Sequence, residues 1–284
     1  MIGTWTADDA ARVLRLPTAR DDKYSRGVVG FRTGSDEYPG AAVLGVEAAW
    51  RTGAGMVRYL GPAFARELVL RRRPETVTVE GRAQAWVVGS GTPAPAAEHE
   101  TDAALRALLA GAVPVVVDAG ALEAAVRATA PRVVTPHDRE HAQLRRALGL
   151  APADDGQREA SALETAAALE AVVVLKGART VVASPSGWAR IVDSGTPWLA
   201  TAGTGDVLAG VIGAVVAGAA ASGAGADDRA LGTDELAALA ATGAWVHGRA
   251  GTAAAAGRGP SGGPITALDV AEALPGVVAQ ALAG

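Results

Sequence analysis

Cysteine is absent from this 284-residue chain, which excludes disulfides, thiolate metal sites and a cysteine nucleophile in one step and fits a cytoplasmic setting. Aromatic residues are also scarce, at 4%, so any core must be assembled mainly from Val, Leu and Ala. An excess of basic charge is missing as well: 26 Lys and Arg face 30 Asp and Glu, net −4, which gives no footprint for nucleic acid. The one basic cluster, Arg71-Arg72-Arg73, ends an expected helix over 63–70 and reads as a solvated helix end complementing the helix dipole. Long Leu/Ile/Phe runs are lacking too. The uncharged stretch between Asp206 and Asp227 is long enough for a bilayer, but it is dominated by Ala and Gly and starts at a polar loop, so a buried helix is expected and no membrane partner. The N-terminus carries Asp8, Asp9, Arg12 and Arg15 at helical spacing, unlike the apolar core of a secretory signal.

What is present is 49% hydrophobic residue, enough for a substantial core, in short apolar runs that alternate with helical stretches. Strands are expected at 27–31, 56–60, 85–88, 114–117, 132–134 and 171–175, with helices at 41–51, from 63, 96–109, 121–128, 137–148 and 159–170. Repeated strand then helix implies an α/β fold with a mostly parallel sheet and right-handed crossovers. A ribbon over 179–183 and 188–192, turning at Pro185-Ser186-Gly187, predicts an antiparallel edge. Helices at 206–221, 233–256 and 267–283 close the chain, separated by Gly-rich loops at 222–232 and 257–264. No break in composition marks a second domain, so one domain over residues 1–284 is expected.

Four segments carry chemistry, each at the carboxyl end of an expected strand or the head of a helix. In Thr201-Ala202-Gly203-Thr204-Gly205-Asp206, a turn with little side-chain bulk runs into an apolar helix. Exposed N–H groups of Gly203, Thr204 and Gly205 and the helix dipole favour an anion there, a phosphate above all. Asp206 is then placed to accept a proton from a hydroxyl approaching that phosphate, or else simply to cap the helix. The loop lacks the Gly-Lys-Ser/Thr ending of a P-loop. Lys176-Gly177-Ala178-Arg179-Thr180 places two cations and a hydroxyl at a sheet edge, suited to a nucleotide's phosphates and ribose, or to a hairpin with solvated cations. Thr135-Pro136-His137-Asp138-Arg139-Glu140 joins a strand to a helix, with His137 readable as a ligand contact or a capping residue. The turns Gly34-Ser35 to Ala41, Gly89-Ser90-Gly91 and Asp118-Ala119-Gly120 complete a rim of strand ends.

Taken in order, with Gly53-Ala54-Gly55-Met56-Val57 and the extension Val207-Leu208-Ala209-Gly210, these motifs closely resemble the ADP- or ATP-dependent NAD(P)H-hydrate dehydratases of the ribokinase-like superfamily, from about Asp22 to Leu282. The resemblance implies a ribokinase-like three-layer sandwich, a mostly parallel central sheet with helices on both faces and an antiparallel edge. It implies repair of hydrated NADH and NADPH (NADHX, NADPHX), with ADP or ATP as co-substrate and Mg2+ as cofactor. Asp206 would be the base and would face the substrate, with Ala41, Gly91 and His137 as further substrate contacts. Lys176, Gly177, Ala178, Arg179, Thr180 and Gly205 would hold the nucleotide, Gly203 to Gly205 would stabilise the transferred phosphoryl group, and Glu140 would stand behind a magnesium-bound water. A homo-oligomer, by resemblance a tetramer, and a separate epimerase acting in the same pathway are expected, there being no room here for an epimerase domain. Departures fall on the substrate side: Asp138-Arg139 replaces Pro-Gly, Ser90 a proline and Gly120 a second acid. Vitamin-precursor kinases acting on hydroxyethylthiazole or a hydroxymethylpyrimidine share the Gly-Thr-Gly-Asp loop and are the alternative, with a non-catalytic nucleotide sensor as a third reading.

Overall fold

Valine-rich segments of three to five residues become the strands of one sheet in the computed structural model, which describes residues 2–93, 103–154, 156–223 and 231–283. In chain order they are β1 (Val28–Arg32), β2 (Met56–Tyr59), β3 (Ala85–Val88), β4 (Val115–Val117), β5 (Arg132–Val134), β6 (Val172–Leu175), β7 (Thr180–Ala183) and β8 (Ala189–Val192). Their spatial order is β2-β1-β3-β4-β5-β6-β7-β8. Pairing is parallel from β2 through β6 and antiparallel from β6 to β8. The expected α/β architecture with an antiparallel edge is therefore what forms.

Because side chains alternate along a strand, each strand feeds two cores. Val29, Phe31, Val57, Val87, Val116, Val133 and Val174 pack on one face with α1 (Ala7–Val13), α2 (Pro39–Thr52), α7 (Thr204–Gly223), α8 (Thr233–Ala256) and α9 (Ala267–Ala283); α3 (Ala63–Arg72) joins through Ala65 and Val69. Val28, Met56, Val88, Val115, Val134, Val173 and Leu175 pack on the other with α4 (Ala103–Leu109), α5 (Asp138–Ala147) and α6 (Arg158–Leu169). Three layers result. The apolar helix α7 is long enough to cross a membrane, but 72% of its apolar window is buried inside the fold, as expected for a core helix. Glycine brings it there: a Cβ on Gly210 would lie 2.2 Å from the carbonyl oxygen of Gly45, so α2 and α7 touch backbone to backbone.

Two expectations are corrected. The helix expected over 121–128 is instead a pair of 3-10 turns, Ala119–Ala121 and Ala124–Arg127. The β4–β5 crossover is short and is pressed against the turn after β3, where a Cβ on Gly120 would lie 2.1 Å from the carbonyl oxygen of Thr92. Of the helix expected over 96–109, residues 96–102 lie outside the described residues, as do 224–230 of the loop expected over 222–232.

The arginine cluster is the second correction. Arg71 pairs at the surface with Glu67, but Arg72 and Arg73 turn inward to Glu47, whose side chain is 0% exposed. Arg73 donates to both Glu47 oxygens at 2.5 and 2.6 Å, and Arg51 donates from α2 at 2.5 Å. Burial disfavours the charged carboxylate, but the Arg73, Arg51 and Arg72 hydrogen bonds outweigh it and hold the group down at about 2. Removing one partner of a buried ion cluster strands the others. Glu47→Ala is expected to cost about 3–5 kcal/mol in urea unfolding, whereas Arg71→Ala should stay within about 0.5 kcal/mol. Since the folded value lies below the ordinary one, the Glu47 contribution is present above pH 4.5 and drains away as pH falls towards 2.

Candidate functional site

Parallel strands deliver their carboxyl ends to one rim, and the chemistry-bearing residues meet there. On one side of the rim, the turn after β6 and the head of α7 enclose a cavity of about 590 Å³ lined by Lys176, Gly177, Ala178, Thr180, Thr204 and Gly205, with Val192, Pro197, Leu199, Leu208 and Ala244 as apolar walls. Arg179 is exposed and is not part of that lining. His247, which the sequence reading passed over, lines the cavity from α8; it is 9% exposed, and burial pushes its imidazole down to about 4. A slightly larger cavity, about 610 Å³, lies by Arg26, Gly53 and Gly218 near the amino end of β1 and holds none of these residues.

Gly203 has φ +88°, a left-handed conformation natural to glycine, and a Cβ there would strike Leu44 at 2.6 Å. The Thr204 hydroxyl lies 2.9 Å from the carbonyls of both Leu199 and Thr201, so it pins the loop, leaving the Thr204 N–H at the helix head for an anion. Helix α7 begins at Thr204, which puts Asp206 inside its first turn instead of at the cap. Among the described residues none donates a hydrogen bond to the half-buried Asp206 carboxyl. Burial first, and the facing Asp118 second, push it up to about 7 against the pull of Lys176. A carboxyl without partners that exchanges its proton near neutrality is suited to general-base work.

Beside Asp206 stands a polar chain whose centre the sequence reading missed. Asp118, 3% exposed at the end of β4, accepts from Lys176 Nζ at 2.9 Å and Thr135 Oγ1 at 2.7 Å on Oδ1, and from Ser90 Oγ at 2.9 Å on Oδ2. Its place at the end of a central parallel strand was the available signal. Lys176 Nζ also lies 3.5 Å from Glu140 Oε2. Burial works against the ammonium charge, but Asp118 and Glu140 hold it above the usual lysine range. Glu140 Oε2 accepts from the His137 N–H at 2.7 Å, and His137 Nδ1 accepts from the Glu140 N–H at 3.2 Å, a capping box that starts α5. The capping reading of His137 is thus realised, with the ring 52% exposed and its Nε2 lying 3.6 Å from Glu140 Oε1.

On the other side of the rim, Ala41 and Gly91 meet. A Cβ on Gly91, where φ is +66°, would lie 2.4 Å from the Ala41 Cβ and 2.8 Å from the Tyr38 carbonyl oxygen. The Gly34 N–H donates to the Ser90 carbonyl at 2.7 Å, tying this turn to the β1–α2 turn. The rim therefore has two halves, a cavity at the head of α7 and a small-residue turn, with Asp206, Lys176 and Asp118 between them.

Comparison with known proteins identifies the family of the chain. A family model described as NAD(P)H-hydrate dehydratase matches residues 29–275. A bifunctional NAD(P)H-hydrate repair enzyme of Mycobacterium tuberculosis is 43% identical over 76% of the chain and 46% of its own length, so the chain spans about half of that relative. An ADP-dependent (S)-NAD(P)H-hydrate dehydratase of Xanthomonas campestris is 34% identical over 95% of this chain and 94% of its own. The crystal structure of the ADP/ATP-dependent NAD(P)H-hydrate dehydratase from Bacillus subtilis, co-crystallised with ATP and Mg2+, superposes with a TM-score of 0.80 at 26% identity, covering 99% of each chain. With the family model extending over most of its length, the chain belongs to the NAD(P)H-hydrate dehydratase family.

Proposed function

We propose that the protein restores hydrated NADH and NADPH to the intact cofactors at the expense of ADP or ATP, releasing AMP or ADP and phosphate. The observation that carries this reading is the partnerless Asp206 carboxyl, pushed up to about 7 at the head of α7 between the nucleotide cavity and the Ala41–Gly91 turn. Hydroxide is a poor leaving group, so the ring hydroxyl must first become a phosphate ester. Asp206 takes the hydroxyl proton as that oxygen attacks the terminal phosphoryl group, while the N–H groups of Gly203, Thr204 and Gly205 face the charge on the phosphoryl oxygens. The ring nitrogen lone pair then expels phosphate, which carries the hydroxyl oxygen away, and loss of a proton from the adjoining carbon restores the double bond.

Lys176, Gly177, Ala178, Thr180 and Gly205 are assigned to the nucleotide, and Ala41, Gly91 and the exposed ring of His137 to the hydrate. Arg179 would reach the nucleotide only from outside the cavity. Among the described residues no group of three His, Asp or Glu side chains could hold a metal by itself, and Asp118 and Glu140 already engage Lys176. This suits Mg2+, which keeps its waters and binds largely through nucleotide phosphates; it would neutralise phosphate charge, with Glu140 accepting from a metal-bound water. We also propose a cytoplasmic homo-oligomer, a tetramer by resemblance, working with a separate epimerase; the bifunctional nature of the M. tuberculosis relative supports a companion activity.

Purified protein mixed with NADHX or NADPHX, Mg2+ and ADP or ATP should regain reduced-nicotinamide absorbance; no recovery with either nucleotide defeats the proposal, and a stable phosphorylated product from hydroxyethylthiazole or a hydroxymethylpyrimidine favours the kinase alternative. Asp206→Asn should lower the rate by about 10²-fold or more, and near-normal turnover would leave Asp206 a structural residue. Lys176→Met should raise the nucleotide KM by roughly 10-fold or more through loss of a charged hydrogen bond, read from steady-state kinetics.

A further inference from the structure

Ser90, Asp118, Thr135 and Lys176 follow the carboxyl ends of β3, β4, β5 and β6, four neighbouring strands of the sheet. Their side chains form one hydrogen-bonded line across those ends. Ser90 donates to Asp118 Oδ2, while Thr135 and Lys176 donate to Oδ1, so both carboxylate oxygens are occupied and neither is free to turn. Ser90 and Thr135 are each 1% exposed. At one end the line meets the substrate turn, because the Ser90 carbonyl accepts from Gly34 and Gly91 follows it in the chain. At the other it meets the nucleotide cavity, where Lys176 is part of the wall and its Nζ lies 3.7 Å from where a Gly205 Cβ would be.

We propose that Asp118, gripped by Ser90 and Thr135, is a positioning residue: it fixes the Lys176 ammonium at the seam between the two half-sites and sets a carboxylate facing Asp206. The proposal rests on the dehydratase reading for its kinetic consequences, but its geometry does not. A hydroxyl at position 90 gives Asp118 Oδ2 its donor, something a proline there would not supply. Few charges surround Asp206: Asp118 and Lys176 act on it from the turns after β4 and β6. The neighbouring α2 and α9 meet the Gly203 loop through Leu44 and Ala267, and α8 presents His247, which burial keeps neutral near pH 7. Glu140 from α5 acts on Lys176. Removing the Asp118 charge takes away a repelling anion and frees the Lys176 cation, and both changes favour the charged form of Asp206.

The test uses the whole nucleotide-free chain, labelled with 13C at the aspartate carboxyls, with Asp206 identified by difference against Asp206→Asn. In Asp118→Asn the Asp206 titration midpoint should fall by about one pH unit, and in kinetics the nucleotide KM should rise roughly 10-fold. Ser90→Ala keeps the Asp118 charge but frees its carboxylate to turn, so the midpoint should shift by less and the nucleotide KM rise by less, and Ser90→Thr should restore both. A merely structural Asp118 would lower the melting temperature and leave the midpoint in place, so a folded Asp118→Asn with an unmoved midpoint overturns the proposal. If Asp118→Asn does not fold, an unmoved midpoint in Ser90→Ala overturns it instead. A wild-type protein that fails to dehydrate the hydrates would sink the reaction assigned above, while the titration would still decide the role of Asp118.

Discussion

Lys176 Nζ sits 2.9 Å from Asp118 Oδ1 at the ends of two strands, β6 and β4, that are separated in the sheet by β5. This contact cannot form until three strands are in parallel register, and once formed it fixes several other groups. Lys176 draws in Glu140, whose carboxylate starts α5 and orients His137. Asp118 holds the turns carrying Ser90 and Thr135, and its charge raises the proton affinity of Asp206 on α7. One ion pair thus ties together the cavity wall, the Ala41–Gly91 turn and the proposed base.

Small residues give that electrostatic centre its place. The contact of Gly45 with Gly210 seats α7 close against α2, and Gly203 bends the preceding loop in a conformation natural to glycine. Together they aim the head of α7 at the rim. The buried Glu47 joins α2 to the end of α3 through Arg72 and Arg73, with Arg51 of α2 completing the cluster, and so braces the same helix. The chain is poor in aromatic bulk, and its precision comes from backbone contact between helices together with buried ion pairs such as those of Glu47 and Asp118.

Much of this could be read before the structure. Strand and helix periodicity placed β3, β5, α8 and α9 closely, because long valine or alanine runs bounded by turns leave few alternatives. The Gly203 to Asp206 loop and Lys176 were recognisable since their chemistry is local: a bulk-free turn, a helix head, a cation at a strand end. What escaped was tertiary. Asp118 looks like one more turn residue because its importance comes from Ser90, Thr135 and Lys176, each following a different strand. His247 lay inside a helix with nothing local to mark it. Arg72 and Arg73 looked like a solvated helix end because their partner Glu47 lies 25 and 26 residues away in sequence. Arg179 was grouped with Lys176 by proximity in the chain, yet the tight turn after β6 sends the two to different surroundings.

We propose that Asp206 acts as a base because burial and Asp118 bring its proton exchange close to neutrality. The pH dependence of kcat for hydrate dehydration tests this most directly. Since the base must be unprotonated, the rate should be low in acid, rise tenfold per pH unit and level off above a midpoint near 7. A profile already flat from pH 5 upward, as an ordinary exposed carboxylate would give, would contradict the account.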